Sequence, residues 1–356
     1  MQFKYTFPAV RGIQAGKEYY ISMVPLKLLP RLFPTEEDIV LPEYRAQRKI
    51  NEARIPEIKK YILNNLDNYV FSALSASIDG NFEFISFNNS NVGELHIDMD
   101  SVFLINDGQH RKAAIEEALK ENQELGNETI SIVFFKNMGL ERSQQMFTDL
   151  NKHAVKTSNS LSTLYDSRDE IAKATKEIID SIPFLKRYTD KERDILGKNS
   201  SKLFTLTTLY KANQRILHSS ECTHEDTIFL KNYWSNVCKN IFEWNELMKK
   251  EITKKDLKEN YIITLAITIQ AFGKLGRIFY DDNTIDLVQT LKGLNNINWS
   301  RNEEDWIGII IREDGRVITS EEAITMTSKK IEDLLNITKK KEKKHERNDR
   351  VAKQKN

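Results

Sequence analysis

Cysteine is nearly absent from this chain: Cys222 and Cys238 are the only two in 356 residues. That excludes a disulfide framework and a cysteine-held iron–sulfur centre, and it suits a reducing compartment. Long apolar runs are missing too. The longest, Tyr261 to Gly273, is short and broken by Thr and Gln, and the N-terminal MQFKYTFPAVRGIQAG has no apolar core of the length a secretion signal requires. A cytoplasmic protein without a membrane segment is expected. GxxxxGKS/T, GxGxxG, HExxH and GxSxG are all lacking, so any nucleotide chemistry would need another cradle. No repeat of fixed period is visible either.

Charge of one sign is also scarce. Lys and Arg number 53 against 52 Asp and Glu, a net +1. The balance is uneven along the chain. From Lys339 to Asn356 nine basic residues face three acidic ones, so that tail carries +6 and the preceding body about −5. The body is therefore not a uniformly basic nucleic-acid binder. The tail lysines Lys339, Lys340, Lys341, Lys343 and Lys344 offer salt-dependent attraction to phosphate, although a run of this kind is also what a solvated, disordered end looks like.

The stretch VFLINDGQHRKAAIEEAL, Val102 to Leu119, organises what is there. Val102 to Ile105 is a short, partly β-branched apolar run that reads as a strand buried on both faces. Ala113, Ala114, Ala118 and Leu119 then recur at helical spacing. Between them Asn106-Asp107-Gly108-Gln109-His110-Arg111 turns a strand into a helix. A helix start carries unpaired N–H groups and partial positive charge, so it favours an anion. Gly108 lets the backbone approach closely, and Arg111 can fork two N–H bonds onto phosphate oxygens. The same residues also fit a plain junction, with Asp107 capping, Gly108 turning and Arg111 solvated.

Elsewhere, Glu18 to Val24 has strand composition, preceded by Arg11, Gly12, Gln14 and Gly16 in a polar turn-like segment. Arg45, Arg48 and Arg54 precede a helix opened by Pro56 with Ile58, Tyr61, Ile62 and Leu66 on one face. Phe71 to Ile78 and Phe82 to Phe87 read as strands joined by an Asp79-Gly80-Asn81 hairpin turn. Leu95, Ile97 and Met99 alternate with polar residues, among them His96 and Asp98, which alternation explains without a metal. Ile130 to Phe135 is a further strand, followed by a helix with Met146, Phe147 and Leu150 on one face. Asp149, Asn151, His153, Lys156 and Ser158 crowd its end. Beyond about Ser160 the texture is helical: Leu161 to Ile182, Leu206 to His218, Thr227 to Met248 and Lys258 to Tyr280, with Phe204 to Leu217 compatible with part of a helix-turn-helix. The spacing of His218, Cys222, His224 and Cys238 matches no recurrent zinc site. Trp306 to Ile311 and Arg316 to Thr319 suggest a hairpin before a final helix, Ser320 to Leu335.

At Asp107-Gly108-Gln109-His110-Arg111, followed by Ala113 and Ala114, the chain resembles the DGQHR-domain family, and within it the DndB branch of the bacterial Dnd system, which places sulfur in the DNA backbone as phosphorothioate. FPAVRGIQAGKEYY, QRKINEARIPEIKKYI, FTDLNKHAVKTSNSLSTLYDSRD and WSRNEEDWIG support it, so the resemblance covers most of the chain. It implies an α+β protein with a ParB N-terminal/sulfiredoxin-like α/β domain over 1–158, a mainly helical domain with a late β-hairpin over 159–338 and a basic tail over 339–356. By that analogy Gly108 and Arg111 hold phosphate, Gln109 or His110 contacts phosphate or water, and Asp107 orients Arg111 or holds Mg. Arg48, Asn151 and Lys156 would complete the phosphate or nucleotide site.

Two functions follow from the resemblance. One is a DNA-binding negative regulator of the modification operon, with double-stranded promoter DNA, other Dnd modification proteins and further copies of the chain as partners. The other is an NTP hydrolase, coupled or not to DNA nicking, in which Asp107, Gln109, His110 and Arg111 act on ATP with Mg. An assembly factor that uses the turn only as structure is a third reading.

Overall fold

The computed structural model describes residues 3–34, 51–152, 157–197, 199–219 and 221–337, with the side chains of Leu140, Phe147, Asn151 and Lys152 outside that description. Arg45, Arg48, His153, Lys156 and the tail lysines therefore lie outside the described residues. The chain divides into two compact units, Met1–Val155 and Lys156–Asn356. The α+β class expected from the sequence is what the structure has: one mixed sheet in the first unit and mainly helices in the second.

In unit 1, β1 (Lys4–Gln14) and β2 (Lys17–Pro25) form an antiparallel hairpin. Arg11, Gly12 and Gln14, expected in a turn, are paired residues of β1. The Tyr19 ring lies over Gly12 from the neighbouring strand, and only Ala15 and Gly16 turn, both at positive φ. After α1 (Leu29–Leu32) comes α2 (Ile55–Leu63), with Pro56 in its first turn as expected; Ile62 is buried but Leu66 is 45% exposed beyond the helix end. Then follow β3 (Leu74–Asp79), β4 (Phe82–Ser86), β5 (Val92–Asp98), β6 (Val102–Asp107), α3 (Gln109–Glu121), β7 (Thr129–Lys136) and α4 (Leu140–Lys152).

The sheet order is β4-β5-β1-β2-β7-β3-β6. This corrects the Asp79-Gly80-Asn81 hairpin. β3 pairs with β6 and, in parallel, with β7, whereas β4 pairs with β5 at the opposite edge. The physical reason is burial: β3 is covered from Leu74 to Ile78 and takes an interior place, while β4 alternates and suits an edge. β6 is itself an edge strand rather than one buried on both faces. Phe103 and Ile105 face the core, but Val102 is 56% exposed. One face of the sheet packs Phe7, Val24, Leu74, Ala76, Leu95, Ile132 and Phe134 against Leu29, Ile62, Ile115 and Ala118. Ile115 belongs to that stripe although the alanines drew attention first.

Unit 2 comprises α5 (Asn159–Tyr165), α6 (Glu170–Ser181), α7 (Pro183–Tyr188), the two-residue strands β8 (Thr189–Asp190) and β9 (Phe204–Thr205), α8 (Leu206–Leu217), α9 (His224–Asn240), α10 (Phe242–Lys249), α11 (Lys254–Asn260), α12 (Ala266–Asp281), α13 (Leu287–Leu291) and α14 (Glu321–Leu334). Three expected long helices are each two. Asp166 accepts from the Arg168 and Asp169 amides and Asp169 caps α6, which breaks the first; Ile241 separates α9 from α10; Tyr261 to Leu265 separate α11 from α12. Hydrophobic periodicity runs through such breaks because both pieces pack on one core. α8, the segment offered as part of a helix-turn-helix, runs from Leu206 to Leu217. It is capped by Thr205 and packs on α6 and α12, with Lys211 and Gln214 its exposed residues. The late hairpin reduces to a tight Arg312–Arg316 turn with isolated bridges. Among the described residues no helix is long and apolar enough to cross a membrane.

Arg215 ties α8 to α14 by a fork onto Glu321, with both N–H···O distances 2.7 Å, and Lys274 of α12 adds a contact at 3.1 Å. The Arg215 bonds, assisted by Lys274, hold the Glu321 carboxyl at about 2 instead of its ordinary 4.5. A carboxyl lowered in the folded state stabilises above its unfolded value and loses that stabilisation as pH falls toward the folded one. Unit 2 should weaken between pH 4.5 and about 2, by at most about 1 kcal/mol because Glu321 is largely exposed. Tryptophan-monitored urea midpoints across that range would show it, and Glu321→Gln should flatten the profile.

Candidate functional site at the strand-to-helix turn

At the end of β6 the register with β3 shifts: Ala76 faces Ile105 but Ser75 faces Asp107, so Asn106 is the extra residue of a bulge. The bulge turns Asn106 inward. Its Nδ2 donates to Ser77 Oγ at 2.9 Å and contacts Met146 Sδ of α4 at 3.2 Å. Asn106 Oδ1 and Ser75 Oγ are buried with no hydrogen-bond partner among the described residues.

Gly108 is the N-cap of α3 at φ +102°, where a side chain is strained. Space forbids one as well: a Cβ would lie 2.4 Å from Leu74 Cδ2 and 3.2 Å from Arg111 Nη2. Asp107, expected as a possible cap, caps nothing here. Its Oδ2 accepts instead from Arg111 Nη2 at 2.7 Å.

Arg111 is held on its other side as well. Nη1 donates to Ser72 O at 2.6 Å, Ser72 Oγ at 2.5 Å and Ala73 O at 2.9 Å. Its side chain is only 16% exposed, so the solvated arginine of the plain-junction reading is not what the structure contains. The guanidinium fork spans the turn and the chain entering β3. His110 makes a second tie: its Nε2 accepts from the Asn51 amide at 3.1 Å, against the segment leading into α2. Asp107, Gly108, His110 and Arg111 thus join three chain segments at one point. Gln109 begins α3 beside them.

The residues expected to complete the site are not brought to it by anything described. Arg48 and Lys156 lie outside the described residues, and of Asn151 only the helical backbone is described. Asp107 Oδ2 is engaged by Arg111, and among the described residues no group of three or more His, Cys, Asp or Glu is placed to hold a metal ion. His96 pairs with Glu94 at 2.9 Å, and Asp98 is buried near Lys4.

Two features escaped the sequence reading. One is the Ser72 and Ala73 acceptor pair, hinted at by the alternating serines of SALSAS. The other is Lys112, buried on α3 with its ammonium 2.8 Å from Glu116. Burial raises the Glu116 carboxyl even though Lys112 opposes the shift.

The fold and the turn define an α+β protein whose first unit is organised on a braced strand-to-helix junction. A family model described as DndB, DNA-sulfur modification-associated, matches residues 7–338, and the chain belongs to that family. No curated protein and no solved structure matches it.

Proposed function

We propose that this chain is a DNA-binding negative regulator of the DNA phosphorothioate-modification operon, acting in concert with other proteins of that system, rather than its NTP hydrolase. The observation that carries this choice is the engagement of Arg111. A hydrolase of this design needs that cation to neutralise transferring phosphoryl oxygens. Here it is committed to Asp107 and to the Ser72 and Ala73 carbonyls. In this reading unit 1 is a ParB/sulfiredoxin-like scaffold, unit 2 and the basic tail supply contacts to double-stranded DNA, and the active form is a homo-oligomer.

The test is a gel shift of the dnd promoter over a salt series with and without ATP and Mg, beside a phosphate-release assay. Promoter binding should weaken as salt rises, and ATP should change neither binding nor phosphate yield. Arg111→Ala should lower unit 1 stability by about 2–3 kcal/mol, because carbonyls and a carboxylate lose their donor, while the folded fraction keeps its DNA affinity. Arg111→Lys should not restore stability, since an ammonium cannot span the fork. ATP turnover that disappears in Asp107→Ala and Arg111→Ala would transfer the conclusion to the hydrolase.

A further inference from the structure

Unit 2 contains an open cleft of about 420 Å³ between the end of α7, the loop before β9 and the α10–α11 junction. Four cationic side chains line it: Arg187, Lys202, Lys250 and Lys254. None of its lining residues is acidic. Among the described residues none of the four has a carboxylate partner, although Lys173, Lys191, Lys274 and Lys330 of the same unit all do. The nearby carboxylate of Asp256 is turned back onto Thr253, accepting from its hydroxyl at 2.5 Å and its amide at 3.3 Å.

The cations are held from below. The Arg187 guanidinium lies 5.4 Å from the centroid of the Tyr188 ring, and Lys202 Nζ donates to the Arg187 carbonyl at 2.8 Å. Tyr188 and Leu247 are buried and form an apolar floor. Lys250 occupies a left-handed position, φ +68°, where Gly or Asn is the usual helix terminator. The neighbouring Lys258 donates to Ser200 O, and its ammonium is pushed down by burial and then by repulsion from Lys254. Among the described residues positive charge is gathered here with no ion pair to any of the four cations.

We infer that this cleft is a phosphoryl-binding site, taking either a free phosphorylated small molecule or a phosphodiester of a nucleic-acid backbone. A tetrahedral oxyanion can accept from lysines and from a forked guanidinium, and its charge offsets that of a cleft lined by cationic residues and no acidic one. The inference does not rest on the regulator reading, because a small phosphorylated ligand would satisfy the cleft in a protein that binds no DNA.

The experiment uses the full chain with sodium pyrophosphate in calorimetry and a labelled DNA duplex in anisotropy. Lys250→Asn with Lys254→Gln removes two charges, and Asn suits the left-handed backbone. Lys231→Gln with Lys239→Gln removes two exposed charges on α9 as the matched control. Tryptophan-monitored unfolding checks that both pairs fold. At least tenfold weaker binding of one probe in the cleft pair, with less than a twofold change in the control, is the expected result. Loss for pyrophosphate identifies a free phosphorylated ligand, and loss for the duplex alone identifies the backbone. If neither probe binds, if the cleft pair changes neither, or if the control pair changes binding as much as the cleft pair, the site is overturned. If pyrophosphate and duplex binding are both intact in the cleft pair, the cleft is removed and the regulator reading stands.

Discussion

Gly108→Val should destabilise unit 1 by about 3–5 kcal/mol, combining the cost of a β-branched residue at positive φ with that of overpacking. The left-handed turn at φ +102° strains any side chain, and the added Cβ would sit 2.4 Å from Leu74 Cδ2. Leu74 is fully buried between Ile132 of β7 and the core, so it has little room to withdraw. Nor can the turn open freely, because Arg111 and Asp107 hold it from both sides. All four tryptophans, Trp234, Trp244, Trp299 and Trp306, belong to unit 2, so fluorescence does not report this change. Amide hydrogen exchange resolved to β3, β6 and the first turn of α3 does. Protection in those segments should collapse while the fluorescence midpoint holds. Wild-type protection in Gly108→Val would mean that the turn is loose and the brace is not a structural element.

The second large effect is expected at a helix crossing in unit 2. Gly273 of α12 meets Ala212 of α8 with nothing between them: a Cβ there would lie 2.7 Å from the Ala212 carbonyl oxygen and 2.9 Å from its Cα. Those are backbone atoms and cannot rotate away. Gly273→Val should therefore force α8 and α12 apart at the centre of the core and cost about 3–5 kcal/mol, at the upper end of overpacking because separation also opens voids around it. Trp234 reports the event directly, since its Nε1 donates to Asn213 of α8 at 2.7 Å. A red-shifted emission and a lower urea midpoint are the expected signals. The mirror change, Ala212→Gly, removes only a methyl and should cost far less. Equal losses in the two variants would contradict a crossing set by backbone contact.

Much of the fold was legible in advance because its elements are local. β2, α2, α3, β7, α8 and α14 each follow from periodicity, a capping residue or a well-placed proline within a few positions of the element itself. Strand partnership was not legible. Asp79-Gly80-Asn81 has the composition of a hairpin turn, yet β3 and β4 end on different sides of the sheet, since the choice depends on how completely each strand can be covered. The helix breaks at Asp166 and Ile241 were hidden for a related reason: both flanking pieces present apolar residues to one core, so the pattern continues where the backbone does not.

The candidate site divides in the same way. Gly108 as a backbone requirement, Arg111 as the key cation of the turn and His110 as a polar contact all came from residue type and order. What Arg111 holds did not. Its acceptors, Ser72 and Ala73, lie 39 and 38 positions away, and only the antiparallel pairing of β3 with β6 brings them under the guanidinium. The cationic cleft is equally invisible in one dimension. Arg187, Lys202, Lys250 and Lys254 are ordinary surface charges along the chain, interleaved with acids, until packing sorts the two signs apart.

By itself the sequence determined the family, the α+β class and the existence of a glycine-dependent strand-to-helix turn, because each is written in neighbouring residues. Only the tertiary structure decided that the turn's arginine is an internal brace and that unit 2 gathers in one cleft four cationic residues with no carboxylate partner among the described residues. Both depend on which distant segments share a contact, and that is settled by burial over the whole core rather than by any local preference.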